Sequence, residues 1–168
     1  MRDLTDDGFE EFFRLRSAAL LRYGHVLTGS PHDAADLTQE ALARLREAWP
    51  RLRQRQDPEG YVRVTMARLH VSWWRRRRRE RLVRDVPDAG YRDGEPDLGP
   101  DRALARALAA LPPRQRTVLV LRYYADQSDA EIAETLGVST ITVRSNASRA
   151  LAKLRLSPEV TTLEGTTP

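Results

Sequence analysis

Apolar residues recur along most of the chain at the spacing of an α-helix, three to four residues apart. Phe9, Phe12, Phe13, Leu20, Tyr23 and Leu27 fall on one side of a first helix, which Gly29 is placed to stop. Ser30-Pro31 then reads as an N-cap followed by proline at the first helical position, with Asp33 in the first turn. The helix it opens should run to about Trp49, burying Ala34, Leu37, Ala41, Leu45 and Ala48. Its outer face presents Asp36, Gln39, Glu40, Ala43 and Glu47.

A basic loop from Pro50 to Asp57 leads into a third helix that begins at Pro58 and enters an arginine run. This helix carries two apolar faces, one of Val62, Met66, Leu69 and Trp73 and another of Val64, Ala67, Val71 and Trp74. Between them lies a polar strip of Tyr61, Thr65, Arg68, Ser72, Arg75 and Arg76. A helix apolar on two sides is either sandwiched in a core or turns one side to a partner.

Between Asp85 and Pro100 the helical pattern breaks. Asp85, Asp88, Asp93, Glu95 and Asp97 alternate with Pro87, Gly90, Gly94, Pro96 and Gly99, the composition of a flexible acidic linker. Beyond it, Leu104, Leu108 and Leu111 predict a helix ending at Pro112-Pro113, and Val118, Leu119, Leu121 and Tyr123 predict the next. The expectation is an all-α chain: a helical bundle over residues 7–82, a linker over 83–100, a second helical domain over 101–156 and a disordered tail over 157–168.

The end of the second domain is the most informative segment. Ser128-Asp129-Ala130-Glu131 has the form of a capping box. The short helix behind it would bury Ile132, Ala133 and Leu136 and end at Gly137, and Ser139 would cap a longer helix to about Arg155. A small Ala133 for close crossing, a glycine for the sharp turn and Val143 to pack one helix on the other describe a helix-turn-helix. Val143, Ala147, Ala150, Leu151 and Leu154 form its inner side. Thr142, Arg144, Ser145, Asn146, Ser148 and Arg149 face outward, side chains of the length that reads base edges and holds phosphates. A second candidate nucleic-acid surface is Trp73-Trp74 beside Arg75–Arg79, Arg81 and Arg84. There, arginines would follow a backbone, while the tryptophans serve mostly as core.

Charge and composition narrow the classes. Of 168 residues, 28 are Lys or Arg and 24 Asp or Glu, so the excess of four positive charges matters less than its placement. The absence of cysteine excludes disulfides, thiolate metal sites and cysteine nucleophiles. His25, His32 and His70 are scattered with no ligand spacing, and no phosphate loop, nucleophile elbow or HExxH is present, so neither a metal, a cofactor nor catalysis is expected. No apolar run approaches the ~20 residues of a membrane span, so the expected location is the cytoplasm.

Asp36-Leu37-Thr38-Gln39-Glu40, the segment from Tyr61 through Trp73-Trp74-Arg75, Leu111-Pro112-Pro113-Arg114-Gln115-Arg116 and the terminal helix-turn-helix occur in the order found in ECF sigma factors. The resemblance spans about Phe9 to Arg155, and Leu69–Arg75 resembles an actinobacterial branch. It implies a region 2 bundle and a region 4 helix-turn-helix that together give RNA polymerase its promoter specificity. Asp36, Gln39 and Glu40 would meet the β′ clamp helices, with the β subunit as a further contact. Tyr61, Arg68, Ser72, Arg75 and Arg76 would engage the −10 element as strands separate, and the outward side chains of the last helix would engage the −35 element. An anti-sigma factor is left open as a further partner. Arg68 and Ser72 stand where many such factors carry Asn and Asp, and Tyr61 where Trp is usual. The rival reading is a stand-alone helix-turn-helix regulator whose first domain senses a signal or dimerises.

Overall fold

The computed structural model describes residues 4–52, 57–84 and 102–158. Seven helices and no strand occur among them: α1 (Leu4–Thr28), α2 (Pro31–Leu52), α3 (Pro58–Arg84), α4 (Arg102–Ala109), α5 (Pro113–Tyr123), α6 (Asp129–Leu136) and α7 (Thr140–Arg155). The acidic linker from residue 85 on, residues 53–56 of the Pro50–Asp57 loop and the tail beyond residue 158 lie outside the described residues.

The punctuation read from the sequence operates locally. Gly29 closes α1 with φ at 70°, in the left-handed region that glycine enters without a Cβ penalty. Ser30 Oγ accepts from the Asp33 amide at 3.3 Å at the start of α2, and Asp57 Oδ1 accepts from the Gly60 amide at 2.9 Å at the start of α3. Several boundaries differ: α2 passes through Pro50 and ends at Leu52, α3 runs to Arg84, past the expected start of the linker at residue 83, and α4 ends at Ala109, before Pro112.

Residues α1 to α3 form the first bundle. Leu20, Leu27, Leu37, Leu45, Val62 and Met66 are fully buried at its centre. Phe9 and Phe12 pack on Trp49 with ring centroids 5.6 and 5.7 Å apart, whereas Phe13 is 47% exposed, at the margin of the stripe rather than in it. Helices α4 to α7 form the second bundle around Val118, Val120, Leu121, Ile132 and Val143. Tyr123, expected inside, is 59% exposed because α5 ends there.

The two bundles pack on each other. The second apolar face of α3 finds its partner within the chain: Val71 and Trp74 face Pro113, Thr117, Leu136 and Val138 across a narrow cavity of about 20 Å³. Arg116 of α5 is buried and donates to carbonyls of α1.

His70 sits in this seam, and burial, with the cations Arg116 and Arg77 nearby, pushes its pKa down to about 3; Asp33 opposes the shift. Its folded value lies below the unfolded value of 6.5, so the neutral ring's contribution is complete above pH 6.5 and is lost as pH falls towards 3. His25, also lowered by burial, acts with the same sign. Acidification below pH 6.5 should therefore lower the melting temperature, with His70 contributing to the fall. Thermal melts from pH 7.5 to 5 of the parent and His70→Gln check this. The variant should lose stability less steeply, and parallel curves would remove His70 as a cause.

Candidate nucleic-acid and polymerase surfaces

The helix-turn-helix is built as its sequence requires. Ser128 Oγ accepts from the Glu131 amide at 3.3 Å, and a Glu131 carboxylate oxygen accepts from the Ser128 amide at 2.7 Å, so each side chain satisfies one end of the other's backbone. The Ser128 amide, and with it the Ser128 hydroxyl donating to the same oxygen at 2.9 Å, holds the Glu131 carboxyl below its usual range. Gly137 ends α6 at φ 65°, ψ 41°. Ser139 Oγ accepts from the Thr142 amide at 3.1 Å and opens α7. Val143, Ala147 and Ala150 are buried, while Leu151 and Leu154, expected inside, are half-buried.

On the outer side of α7, Arg144, Ser148 and Arg149 are exposed and Ser145 is half-exposed. Arg144 Nε lies 3.2 Å from Asp129 Oδ2. Asp129 is also bonded to Arg122, and these guanidinium groups hold its carboxyl below the usual range, the Arg122 hydrogen bond contributing most. Thr142 and Asn146 turn the other way: both line the cavity against His70, Val71 and Trp74 of α3, and Asn146 Nδ2 donates to the Thr142 carbonyl at 2.9 Å. The six side chains grouped by sequence thus split between an open face and the seam.

The polar strip of α3 gathers more tightly. Arg68, Ser72, Arg75 and Arg76 line one basic hollow of about 320 Å³ together with Arg79, and Thr135 of α6 contributes to its wall. Arg79, read from the sequence as part of the arginine run, follows Arg68, Ser72, Arg75 and Arg76 at helical spacing and joins the strip; nothing in the sequence points to Thr135. Tyr61 lies apart, half-buried against the bundle core. Trp73 also packs against that core. The guanidinium groups of Arg78 and Arg114 each lie over the Trp74 ring, 5.4 and 5.1 Å from its centroid.

The acidic face of α2 is where periodicity put it. Asp36 and Gln39 are exposed and Glu40 is half-exposed. Asp36 lies 3.5 Å from His32 Nε2, and Glu40 accepts from Arg44 at 2.8 Å, both one helical turn away. No group of three or more His, Asp or Glu side chains able to hold a metal ion occurs among the described residues. None of the described helices is long and apolar enough to cross a membrane.

A bundle with a cationic strip, followed by a helix-turn-helix, is the arrangement of two known families in one order. Sigma-70 region 2 matches residues 9–80, and sigma-70 region 4 matches residues 101–154. The chain belongs to the sigma-70 family. It is of the ECF type, a sigma factor that directs RNA polymerase to promoters. It is 38% identical over 157 residues to the RNA polymerase sigma-E factor of Streptomyces antibioticus, covering 93% of this chain and 87% of that one. It is 34% identical over 160 residues to the ECF RNA polymerase sigma factor SigE of Mycolicibacterium smegmatis, covering 88% and 60%. The fold resembles that of the sigma factor RpoE solved with the anti-sigma factor NepR from Bartonella quintana, with a TM-score of 0.63, 23% identity and coverage of 91% and 98%.

Proposed function

We propose that the sigma factor divides promoter recognition between its two cationic surfaces and docks on polymerase through α2. The observation that carries this reading is their separation. Arg68, Ser72, Arg75 and Arg76 share one hollow on α3, and Arg144, Ser148 and Arg149 share the open side of α7. In this reading the α3 strip, with Tyr61, holds the −10 element as single strands, its arginines on phosphates. The α7 face, with Thr142, Ser145 and Asn146, enters the major groove at the −35 element. Strand opening is then a binding event; the sigma factor works in the cytoplasm and leaves bond-making to the polymerase. A protein that restrains it, of the anti-sigma kind, is a second partner this reading admits.

The deciding experiment is transcription in vitro with core polymerase on a library of genomic promoters. The expected result is a set of start sites sharing two upstream boxes at fixed spacing. Tight duplex binding without polymerase, and no initiation above core alone, would favour the stand-alone regulator instead.

For the docking face, Asp36, Gln39 and Glu40 would meet the basic side of the β′ clamp helices. Asp36→Arg with Glu40→Arg should weaken core binding about tenfold or more, because a complementary basic partner would then face like charge. The fold should survive: the two pairs given up, with His32 and Arg44, are exposed i,i+4 contacts worth about 0.5 kcal/mol or less. Pull-down with core polymerase measures the loss, with circular dichroism as the control. Unchanged affinity would take this face out of the interface.

A further inference from the structure

Ile141 lies in the first turn of α7 and is 76% exposed, on a helix whose other exposed side chains are polar or alanine. At about 100° per residue, Ile141, Ser145, Ser148 and Ala152 fall within roughly 60° of one another. They form the middle of the outer face, opposite the buried Val143, Ala147 and Ala150. A single exposed apolar residue is ordinary on a protein surface. The place of this one is not. Thr142 lines the seam with α3 and Val143 is buried, so neither neighbour can take its part. The first turn of α7 offers one exposed apolar side chain to whatever meets the outer face.

That turn is held firmly. Ser139 Oγ accepts from the Thr142 amide at 3.1 Å and lies 2.9 Å from Thr142 Oγ1, which pins the backbone on both sides of Ile141. A β-branched side chain has few χ1 choices, so ordering it against a partner costs little entropy. Exposed as it is, Ile141 adds little to the core of the second bundle, and nothing in the fold requires an isoleucine there.

We propose that Ile141 packs on the 5-methyl group of a thymine in the −35 element and so helps to fix the sequence this sigma factor selects. The contact rests on the reading above, in which α7 enters the major groove. There each base pair shows its own pattern of donors and acceptors, and thymine alone adds a methyl group. Arg144, Ser145, Ser148 and Arg149 can meet the polar part of that pattern, whereas a methyl group is matched by an apolar side chain. Residues at the N-terminal end of a recognition helix come nearest the base edges, and Ile141 is the second residue of α7. Taking one methyl group out of water favours binding about fourfold.

The test uses the full-length protein with core polymerase, at limiting sigma factor, on a promoter selected in the transcription experiment. Each thymine of the upstream box, on either strand, is replaced in turn by deoxyuridine, which pairs alike and lacks only the 5-methyl group. One replacement should lower initiation by the parent about fourfold. Ile141→Ala should lose about as much on the natural box, and deoxyuridine at that position should cost it nothing further, the non-additivity of two groups in contact. Arg149→Ala should still feel the replacement. Because Ile141 is exposed, Ile141→Ala should melt no lower than the parent. A box without an A·T pair overturns the contact, as does a deoxyuridine penalty that Ile141→Ala keeps in full. A loss that Ile141→Ala shows equally with and without the upstream box points to polymerase instead and overturns it too. If Arg149→Ala loses initiation and Ile141→Ala does not, the methyl contact falls while α7 stays in the groove. If neither loses any, the placement of α7 falls and the contact with it.

Discussion

The Gly24→Val variant should melt about 10 °C below the parent. Gly24 lies in α1 against residues of both α2 and α3. A Cβ there would stand 2.9 Å from Met66 Cε, 3.1 Å from Thr38 Oγ1 and 3.3 Å from the Ala34 carbonyl oxygen. Met66 can swing its terminal methyl aside, but it is fully buried and has little space to enter. The Ala34 oxygen is backbone and cannot move without shifting α2. Valine adds two further methyl groups to this crowding, and overpacking of this kind costs about 1–3 kcal/mol and occasionally more. Against it stands the better helix propensity of valine, about 0.4 kcal/mol over glycine, too small to offset the clash. At roughly 4 °C per kcal/mol, a net loss near 2.5 kcal/mol gives the stated shift. Gly8→Ala is the control in the same helix. Its Cβ would meet Trp49 at 3.5 Å, an ordinary contact, so the propensity gain should stand and the melting temperature should hold or rise. Equal melting temperatures for Gly24→Val and the parent would mean that the helices are not so closely seated.

The contrast between those two glycines marks what a sequence shows and what it hides. Both stand inside a helical pattern, and periodicity cannot say which one another helix presses against. Features set by near neighbours were legible. Ser128 and Glu131 are three residues apart and bond reciprocally as read, Gly137 adopts the left-handed backbone, and Pro58 opens α3. The burial of Ala34, Leu37, Ala41, Leu45 and Ala48 followed from spacing alone. The two apolar faces of α3 were legible too, but not what covers the second. The breaker-rich acidic stretch after Arg84 suggests bundles that act independently, and nothing local in Arg116 says otherwise. An arginine is exposed by default, and this one is buried through bonds to residues 88 and 89 positions earlier in the chain. Thr142 and Asn146 were grouped with Arg149 for the same reason: helical geometry gives a face, and only the packed structure says that α3 stands against part of it.

Arg149→Ala should cost the sigma factor about 1–3 kcal/mol of promoter binding, roughly a tenfold to hundredfold loss of transcription from a promoter that carries the upstream box. Arg149 is exposed on α7, and the adjacent Ala150 supplies the packing at that turn, so truncation should leave the helix-turn-helix intact. Two contacts are open to an arginine there, and they leave different signatures. A bidentate pair with guanine relaxes preference at one position of the box and spares the rest. A phosphate contact weakens all sequences alike and lowers the salt slope by about one. The position favours the backbone as the dominant contact. Arg149 lies past the second turn of a helix that begins at Thr140, and the residues that reach base edges come from the N-terminal part of a recognition helix. Arg144 is nearer that end but is held by Asp129 in the free chain. It must exchange one anionic partner for another, so Arg149 should be the larger loss of the two. Transcription from matched promoters with and without the upstream box, at two salt concentrations, separates these outcomes. If Arg149→Ala loses nothing on the promoter with the box, α7 is not the helix that reads it.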